Sequence, residues 1–177
     1  MTTPCFVDLE TPRLLLRSIA PEDRDFIFRQ FSNESVNRYL FDAEPMESVA
    51  EADDLIAFYR QPEPRAQHRW ILLRKADGVP IGTCGFHCWS REHAQCEVGY
   101  DLLEAYRAQG YMTEAMQAVL AFARQAMGVR RVVACIYPQN ESSVNLARRL
   151  GFAPSGEVRM EHFRGLEIPH DLYELKL

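Results

Sequence analysis

A glycine-containing turn between an apolar segment and a strongly amphipathic one is the feature that most constrains the fold of this chain. The turn reads Arg107-Ala108-Gln109-Gly110-Tyr111-Met112-Thr113. After it, apolar residues recur every three to four positions from Tyr111 to Met127, which predicts a helix with one buried face. The first N–H groups of a helix have no intrahelical acceptor, and the helix dipole is positive at that end. The turn therefore predicts a phosphate or pyrophosphate site, at which Gly110 leaves room for close approach of the ligand.

Length and charge exclude several classes of protein. The 177 residues predict a single domain spanning 1–177. A net charge of −5 argues against nucleic acid as a partner, because a phosphate-binding face must be basic. No apolar run approaches the ~20 residues of a membrane helix. The first residues also lack the basic start and apolar stretch of a signal peptide, so we expect a cytoplasmic protein without a membrane partner.

The five cysteines predict free thiols rather than a metal site. They form no CxxC pair. Cys84 and Cys88 fall in one predicted strand, where they share a face but stand roughly 13 Å apart at ~3.3 Å per residue. One metal ion does not bind both, and the histidines show no ligand spacing. We therefore expect reduced thiols and no metal.

The order of predicted elements is that of an α/β protein with a mixed sheet. A first strand at 13–19 precedes helices that begin at Pro21 and at about Glu47. The later strands are predicted at 70–74, 81–89, 96–103, 131–137, 158–163 and 171–177. Helices are predicted at 111–127, between the third and fourth of these strands, and from the N-cap Asn140 to Leu150.

Five short motifs follow one another along the chain. They are Ile81-Gly82-Thr83-Cys84-Gly85, Glu97-Val98-Gly99-Tyr100, Arg107-x-x-Gly110-x-Met112 running into Thr113-Glu114-Ala115, Asn140-x-x-Ser143, and Leu150-Gly151-Phe152. Together they resemble the GNAT superfamily of acyl-CoA-dependent N-acyltransferases, nearest the ribosomal-protein N-terminal acetyltransferases. The resemblance covers nearly the whole chain. It implies a GNAT fold: a mixed, mostly antiparallel sheet, splayed at its centre and flanked by helices.

The resemblance also implies acetyl-CoA as co-substrate. The turn would hold the pyrophosphate through backbone N–H groups, although the family usually has Gly or Ala where this chain has Met112. The strand end before the turn would diverge from the strand at 131–137, and the pantetheine arm would lie in the gap like an added strand. The expected cofactor-binding residues are Leu102, Leu103, Glu104, Arg107, Ala108, Gln109, Gly110, Tyr111, Met112, Thr113, Asn140 and Ser143.

Two residues are implied in the chemistry. Glu97 matches the position of a general base, the alternative being an ordinary exposed or ion-paired carboxylate. Many relatives place a tyrosine, the proton donor to the CoA thiolate, where this chain has Ala147. Ser143 matches a serine that serves instead in the N-terminal acetyltransferase branch, and the alternative is that it only completes the helix end capped by Asn140. Tyr137 and Tyr173 are further candidate donors.

The expected reaction is direct acetyl transfer, in a ternary complex, to a primary amine of a small molecule or a protein N-terminus. A non-catalytic acyl-CoA-binding module is the alternative. Acidic residues between Asp42 and Asp54 would attract a cationic acceptor, or simply form a solvated helix face. Tyr39, Phe41 and Trp89 are candidate pocket residues, with core packing as the alternative. A homodimer formed through the C-terminal strands or an edge strand is compatible with the sequence.

Overall fold

The computed structural model describes residues 6–177, which form one sheet with helices on both faces. The strands are β1 (Leu9–Glu10), β2 (Leu14–Ser18), β3 (His68–Arg74), β4 (Pro80–Ser90), β5 (Gln95–Leu102), β6 (Arg131–Ile136), β7 (Ala153–Phe163) and β8 (Leu166–Lys176). The helices are α1 (Arg24–Phe31), α2 (Glu34–Asn37), α3 (Val49–Tyr59), α4 (Tyr111–Gln125) and α5 (Glu141–Arg149), with 3₁₀ turns at Pro21–Asp23 and Glu104–Tyr106.

The sheet is antiparallel except at its centre. Its strand order is β1-β2-β3-β4-β5-β6-β8-β7, and only the β5–β6 pair is parallel among the described strands. A parallel pair needs a long crossover, which α4 supplies. Residues Gln95–Glu97 of β5 pair with Arg131–Val133 of β6, and beyond these residues the two strands diverge. The predicted mixed, centrally splayed α/β sheet is therefore confirmed.

The two faces of the sheet carry separate apolar cores, because successive side chains of a strand point to opposite sides. Trp70 and Leu72 face the larger core, which contains the buried sides of α4 and α5. Ile71 lies between them in sequence but packs into the smaller core with Ile27 of α1 and Ile56 of α3. The sheet is thus buried on both sides, and its central gap lies between two helical layers.

The helix after the turn follows its predicted pattern. Met112, Met116, Val119 and Ala123 are all buried. α4 ends at Gln125, two residues before the predicted end, and Gly128 at a φ of +68° reverses the chain beyond it. The buried stripe fixes the start of α4, and with it the turn, against the sheet.

The cysteine prediction needs a correction. Cys84 is buried but Cys88 is exposed, so the two do not share a face. The β4–β5 register shifts between His87 and Ser90, and Cys88 has a φ of +52°, which reverses the alternation at this bulge. The predictions for Cys5 and for the first residues concern positions outside the described residues. Between residues 6 and 177 no helix has the length and apolar character needed to cross a bilayer.

Candidate active site

A cavity of about 480 Å³ opens where β5 and β6 diverge. It is lined by the end of β5, by the turn and first residues of α4, by one side of α5 along its length and by the segment around α2. The predicted cofactor-binding residues that line it are Leu102, Arg107, Ala108, Gly110, Tyr111, Met112, Thr113, Asn140 and Ser143. Leu103, Glu104 and Gln109 do not line it, and Leu103 instead packs against the smaller core.

The backbone of the turn has the form of an anion cradle. Ala108 and Gly110 have φ values of +57° and +80°, and alternation of left-handed residues points neighbouring N–H groups to one side. In the part of the chain that the structure describes, the N–H groups of residues 108–113 donate to no protein acceptor. Gly110 is the N-cap of α4 and provides no side-chain cap. These free donors and the helix dipole fit a pyrophosphate.

Arg13, the residue just before β2, holds this turn. Its Nε donates to Glu114 Oε2 at 2.6 Å, and its Nη1 donates to the carbonyl oxygen of Gln109 at 2.9 Å. Its guanidinium also lies 4.4 Å from the ring centroid of Tyr111. Sequence reasoning missed this residue, because its partner Glu114 lies 101 positions away and no local pattern connects them.

Ser143 reaches the cavity beside a tyrosine that sequence reasoning also missed. Oγ of Ser143 lies 2.7 Å from the hydroxyl of Tyr100, and burial raises the pKa of Tyr100. The backbone N–H of Ser143 donates to Oδ1 of Asn140 at 3.2 Å, so Asn140 caps α5 as predicted. Ser143 therefore lies at the helix end while its hydroxyl remains inside the cavity. The Glu97–Tyr100 motif contains this tyrosine, but no local pattern connects its hydroxyl to Ser143, which lies 43 positions away.

The other candidate donors lie elsewhere. Tyr173 is 5% exposed in the larger core and does not line the cavity. Tyr137 packs against Phe41, with ring centroids 4.9 Å apart, also outside the cavity lining. Ala147 is buried in the core and carries no polar group.

Glu97 lies at the last paired position before β5 and β6 diverge, opposite Val133. Arg159 donates two hydrogen bonds to its carboxylate, at 2.7 and 2.9 Å. Nε2 of His87, its cross-strand partner, lies 3.3 Å from the same group. Hydrogen bonds from His87 and Arg159 outweigh burial and lower the pKa of Glu97 to about 2. The carboxylate is thus ionised at any working pH, and it is a weak base.

A buried network joins β5 to the strands beside it. Asp101 accepts hydrogen bonds from Arg69 at 3.0 Å, from Thr83 at 2.6 Å and from Gln30 at 2.7 Å. Burial raises the pKa of Asp101, and the bound guanidinium opposes that rise. Because these four residues come from β5, β3, β4 and α1, the network fixes the end of β5 that lines the cavity.

The predicted acidic and aromatic residues divide between structural and cavity positions. Asp53 pairs with Arg24 at 2.8 Å, and Glu44 pairs with Arg164 at 2.5 Å. Glu51 accepts hydrogen bonds from the N–H groups that precede α3, so much of the acidic segment serves local structure.

Trp89 is 5% exposed in the larger core, as the packing alternative expected. Tyr39, in contrast, lines the cavity.

Comparison with known proteins identifies the family. The family model described as "Acetyltransferase (GNAT) domain" matches residues 13–153. The chain belongs to the GNAT acetyltransferase family. Uncharacterized N-acetyltransferase YoaA of Bacillus subtilis (strain 168) is 34% identical to this GNAT chain over 167 residues, which is 94% of this chain and 93% of that protein. The chain is therefore an acyl-CoA-dependent N-acetyltransferase with acetyl-CoA as co-substrate.

Solved structures share the GNAT fold. Spermidine N-acetyltransferase from Vibrio cholerae, in complex with CoA and spermine, has a TM-score of 0.82 at 18% identity, covering 94% of this chain and 96% of that one. Ribosomal-protein-S5-alanine acetyltransferase from Vibrio fischeri has a TM-score of 0.75 at 22% identity, covering 97% of each. Among the described residues of this GNAT enzyme, no three His, Cys, Asp or Glu side chains are grouped to hold a metal ion.

Proposed function

We propose that this GNAT enzyme transfers acetyl directly from acetyl-CoA to a primary amine that enters between β5 and β6. The observation that supports this most strongly is the cavity. It extends from the free N–H groups of the turn, past the Ser143 hydroxyl, to Val36 and Tyr39 around α2. In this proposal acetyl-CoA lies along the cavity, and the amine approaches its thioester from another side. Holding two reactants together in this way contributes up to ~7–11 kcal/mol to acceleration.

The proposed chemistry gives the two predicted residues different roles, because Ser143 lines the cavity whereas Glu97 is buried beside it and is not part of the lining. A C–N bond forms and the C–S bond breaks, so the amine loses a proton and sulfur gains one. Ser143 is the proposed proton donor to sulfur. Glu97, whose carboxylate is paired with Arg159 and has a low pKa, is proposed to orient His87 rather than to take the proton itself. The proton then leaves to solvent water.

For the acceptor we propose a small cationic amine of the polyamine class. Oε1 of Glu161 lies 3.9 Å from Sγ of Cys135, and both Glu161 and Asp42 contribute to raising the pKa of this thiol to about 11, after burial. Neither carboxylate forms an ion pair within residues 6–177. Spermidine N(1)-acetyltransferase of Escherichia coli (strain K12), 24% identical over 148 residues, is a further support for this class.

The test is an assay of CoA release with spermidine, spermine and a peptide with a free N-terminal alanine. We expect turnover of a polyamine, and a lower kcat/KM for Glu97→Gln. Glu157→Gln, an exposed change on β7, is the matched control. Turnover of the peptide alone would correct the acceptor class. A wild-type protein that binds CoA but acetylates none of the three would overturn the proposal and favour the non-catalytic module.

The proposal includes a homodimer formed through the outer strand β7. Val158 and Met160 stand two residues apart on this edge strand and are 56% and 42% exposed. Exposed apolar residues on a long edge strand favour pairing with another chain. The strand is unpaired on its outer side in the described sheet, so a second copy is the proposed occupant.

A further inference from the structure

Tyr100 brings a second hydroxyl to the place where Ser143 enters the cavity. The two oxygen atoms are 2.7 Å apart, which is the length of a good O–H···O hydrogen bond. Both residues line the cavity, and the ring of Tyr100 packs against the larger core. In the described part of the chain, the Tyr100 hydroxyl is the polar side-chain group that contacts Ser143 Oγ.

Tyr100 also brings to the cavity a phenolic hydroxyl, which α5 does not provide at Ala147. Ala147 lies one turn beyond Ser143, where the family resemblance implies a tyrosine, and it is 1% exposed with no polar atom in its side chain. A phenolic hydroxyl reaches the same cavity from β5 instead. Burial raises the pKa of Tyr100, so the phenol keeps its proton at any pH at which the enzyme works.

Ser143 cannot act alone, for a reason of proton affinity. A serine that gives its proton to a thiolate becomes an alkoxide, which is a much stronger base than the thiolate it has just neutralised. Ser143 must therefore receive a proton in the same step. The phenol of Tyr100 is a far better acid than an alcohol and already lies at hydrogen-bonding distance.

We propose that Tyr100 supplies the proton that Ser143 passes to the departing CoA thiolate. As the C–S bond breaks, the Ser143 O–H bond breaks and an S–H bond forms. The Tyr100 proton moves to Ser143 Oγ at the same time, and the resulting phenolate takes a proton from water as the products leave. The proton that the amine has released to water balances this last transfer. The inference rests on the proposed function, in which Ser143 is the proton donor.

The test compares Tyr100→Phe, Ser143→Ala and the double variant with wild type, using saturating acetyl-CoA and an amine that wild type acetylates. We expect kcat to fall about 100-fold in each single variant, the lower end of what general acid catalysis contributes. KM for acetyl-CoA should stay within about twofold in Tyr100→Phe, because the turn and its donors are untouched. Since the two hydroxyls act in one relay, the double variant should be no slower than the slower single variant.

Tyr173→Phe is the matched control, since it removes one hydroxyl from a buried tyrosine outside the cavity. A second measurement is kcat in mixtures of H₂O and D₂O. Wild type should give a curved dependence, because two protons move together, and Tyr100→Phe should give a smaller isotope effect. A variant that merely packs poorly would raise KM or lower stability without changing this dependence.

The outcomes separate this inference from the proposed function. Wild-type turnover with Tyr100→Phe as active as Tyr173→Phe would overturn the role of Tyr100 alone. Losses that multiply in the double variant would also overturn it, because they would show two independent contributions. A wild-type protein without turnover on any amine would instead overturn the proposed function on which the inference rests.

Discussion

Glu97 is the residue whose charge state is most strongly set by its neighbours. In the unfolded chain its carboxyl binds a proton near pH 4.5, whereas in the folded protein His87 and Arg159 lower the pKa to about 2. Between these values the unfolded state binds more protons, so the free energy of unfolding falls as the pH falls. We expect this slope in urea denaturation of wild type between pH 5 and pH 2, and a flatter one in Glu97→Gln. An equal slope in both would show that the ion pair contributes nothing.

His68 should produce an acid sensitivity that begins at higher pH. Burial, and then the Arg65 guanidinium, lower its pKa from 6.5 to about 3. Its ring stacks on Phe6 with centroids 4.3 Å apart, and Nδ1 lies 2.8 Å from Nη2 of Arg65, which favours the neutral imidazole. The unfolded state therefore binds a proton below pH 6.5 that the folded state does not, and stability falls from there downward.

The measurement for His68 is the unfolding free energy at pH 7, 6, 5 and 4. His68→Gln should lower stability at pH 7, because the stacked ring is lost, but it should flatten the decline between pH 6.5 and pH 4. His93→Gln, an exposed histidine, is the control and should keep the wild-type slope. A wild-type curve without decline in this range would contradict the assignment.

Among the structural elements, the turn before α4 contains two residues with a left-handed backbone, an alanine at position 108 and a glycine at position 110. Gly110→Ala should lower stability by about 1 kcal/mol, because alanine at a φ of +80° is strained and its Cβ would lie 3.4 Å from Nη2 of Arg13. Ala108→Gly, at a φ of +57°, should be nearly neutral, since relief of strain offsets the added entropy of the unfolded chain. Thermal unfolding with and without CoA measures both, and only Gly110→Ala should weaken CoA binding. Equal effects of the two changes would contradict this account of the turn.

The contact of Arg13, just before β2, with the turn and with α4 gives a separate prediction. Arg13→Ala should raise the Kd for CoA about fivefold, or about 1 kcal/mol, because the Gln109 carbonyl and the Glu114 carboxylate lose the group that holds them. Arg24→Ala removes a surface pair with Asp53 on α3 and is the matched control. Isothermal titration with CoA measures both. Unchanged affinity in Arg13→Ala would show that the turn is rigid without it.

The elements, and much of the cavity, were predictable from local pattern. The periodicity of α4, the cap Asn140 and the turn around Gly110 each depend on neighbours within a few positions, and all were placed correctly. The contacts of Arg13, Tyr100 and Glu97 were not predictable in the same way. Their partners Glu114, Ser143 and Arg159 lie 43 to 101 positions away, so only the folded sheet brings them together. The prediction that Cys84 and Cys88 share a face is wrong for a related reason, because the bulge at Cys88 depends on how β4 pairs with β5.

At the scale of the whole molecule, the outer strand β7 predicts association. Val158→Lys and Met160→Lys place charges on the exposed side of this strand and should shift a concentration-dependent dimer towards monomer in sedimentation velocity. Neither residue lines the cavity, so CoA binding should be unchanged. A wild-type protein that sediments as a monomer at every concentration would contradict the dimer.

The divergence of β5 and β6 also bears on how long the polypeptide survives in a cell. Beyond Glu97 and Val133 the two strands no longer pair with each other, so the sheet has a seam at its centre. A co-substrate that lies in the seam binds the folded chain alone and lowers the population of opened forms that proteases cleave. We therefore expect the abundance of this enzyme to follow the acetyl-CoA supply, with starved cells degrading it sooner than well-fed ones.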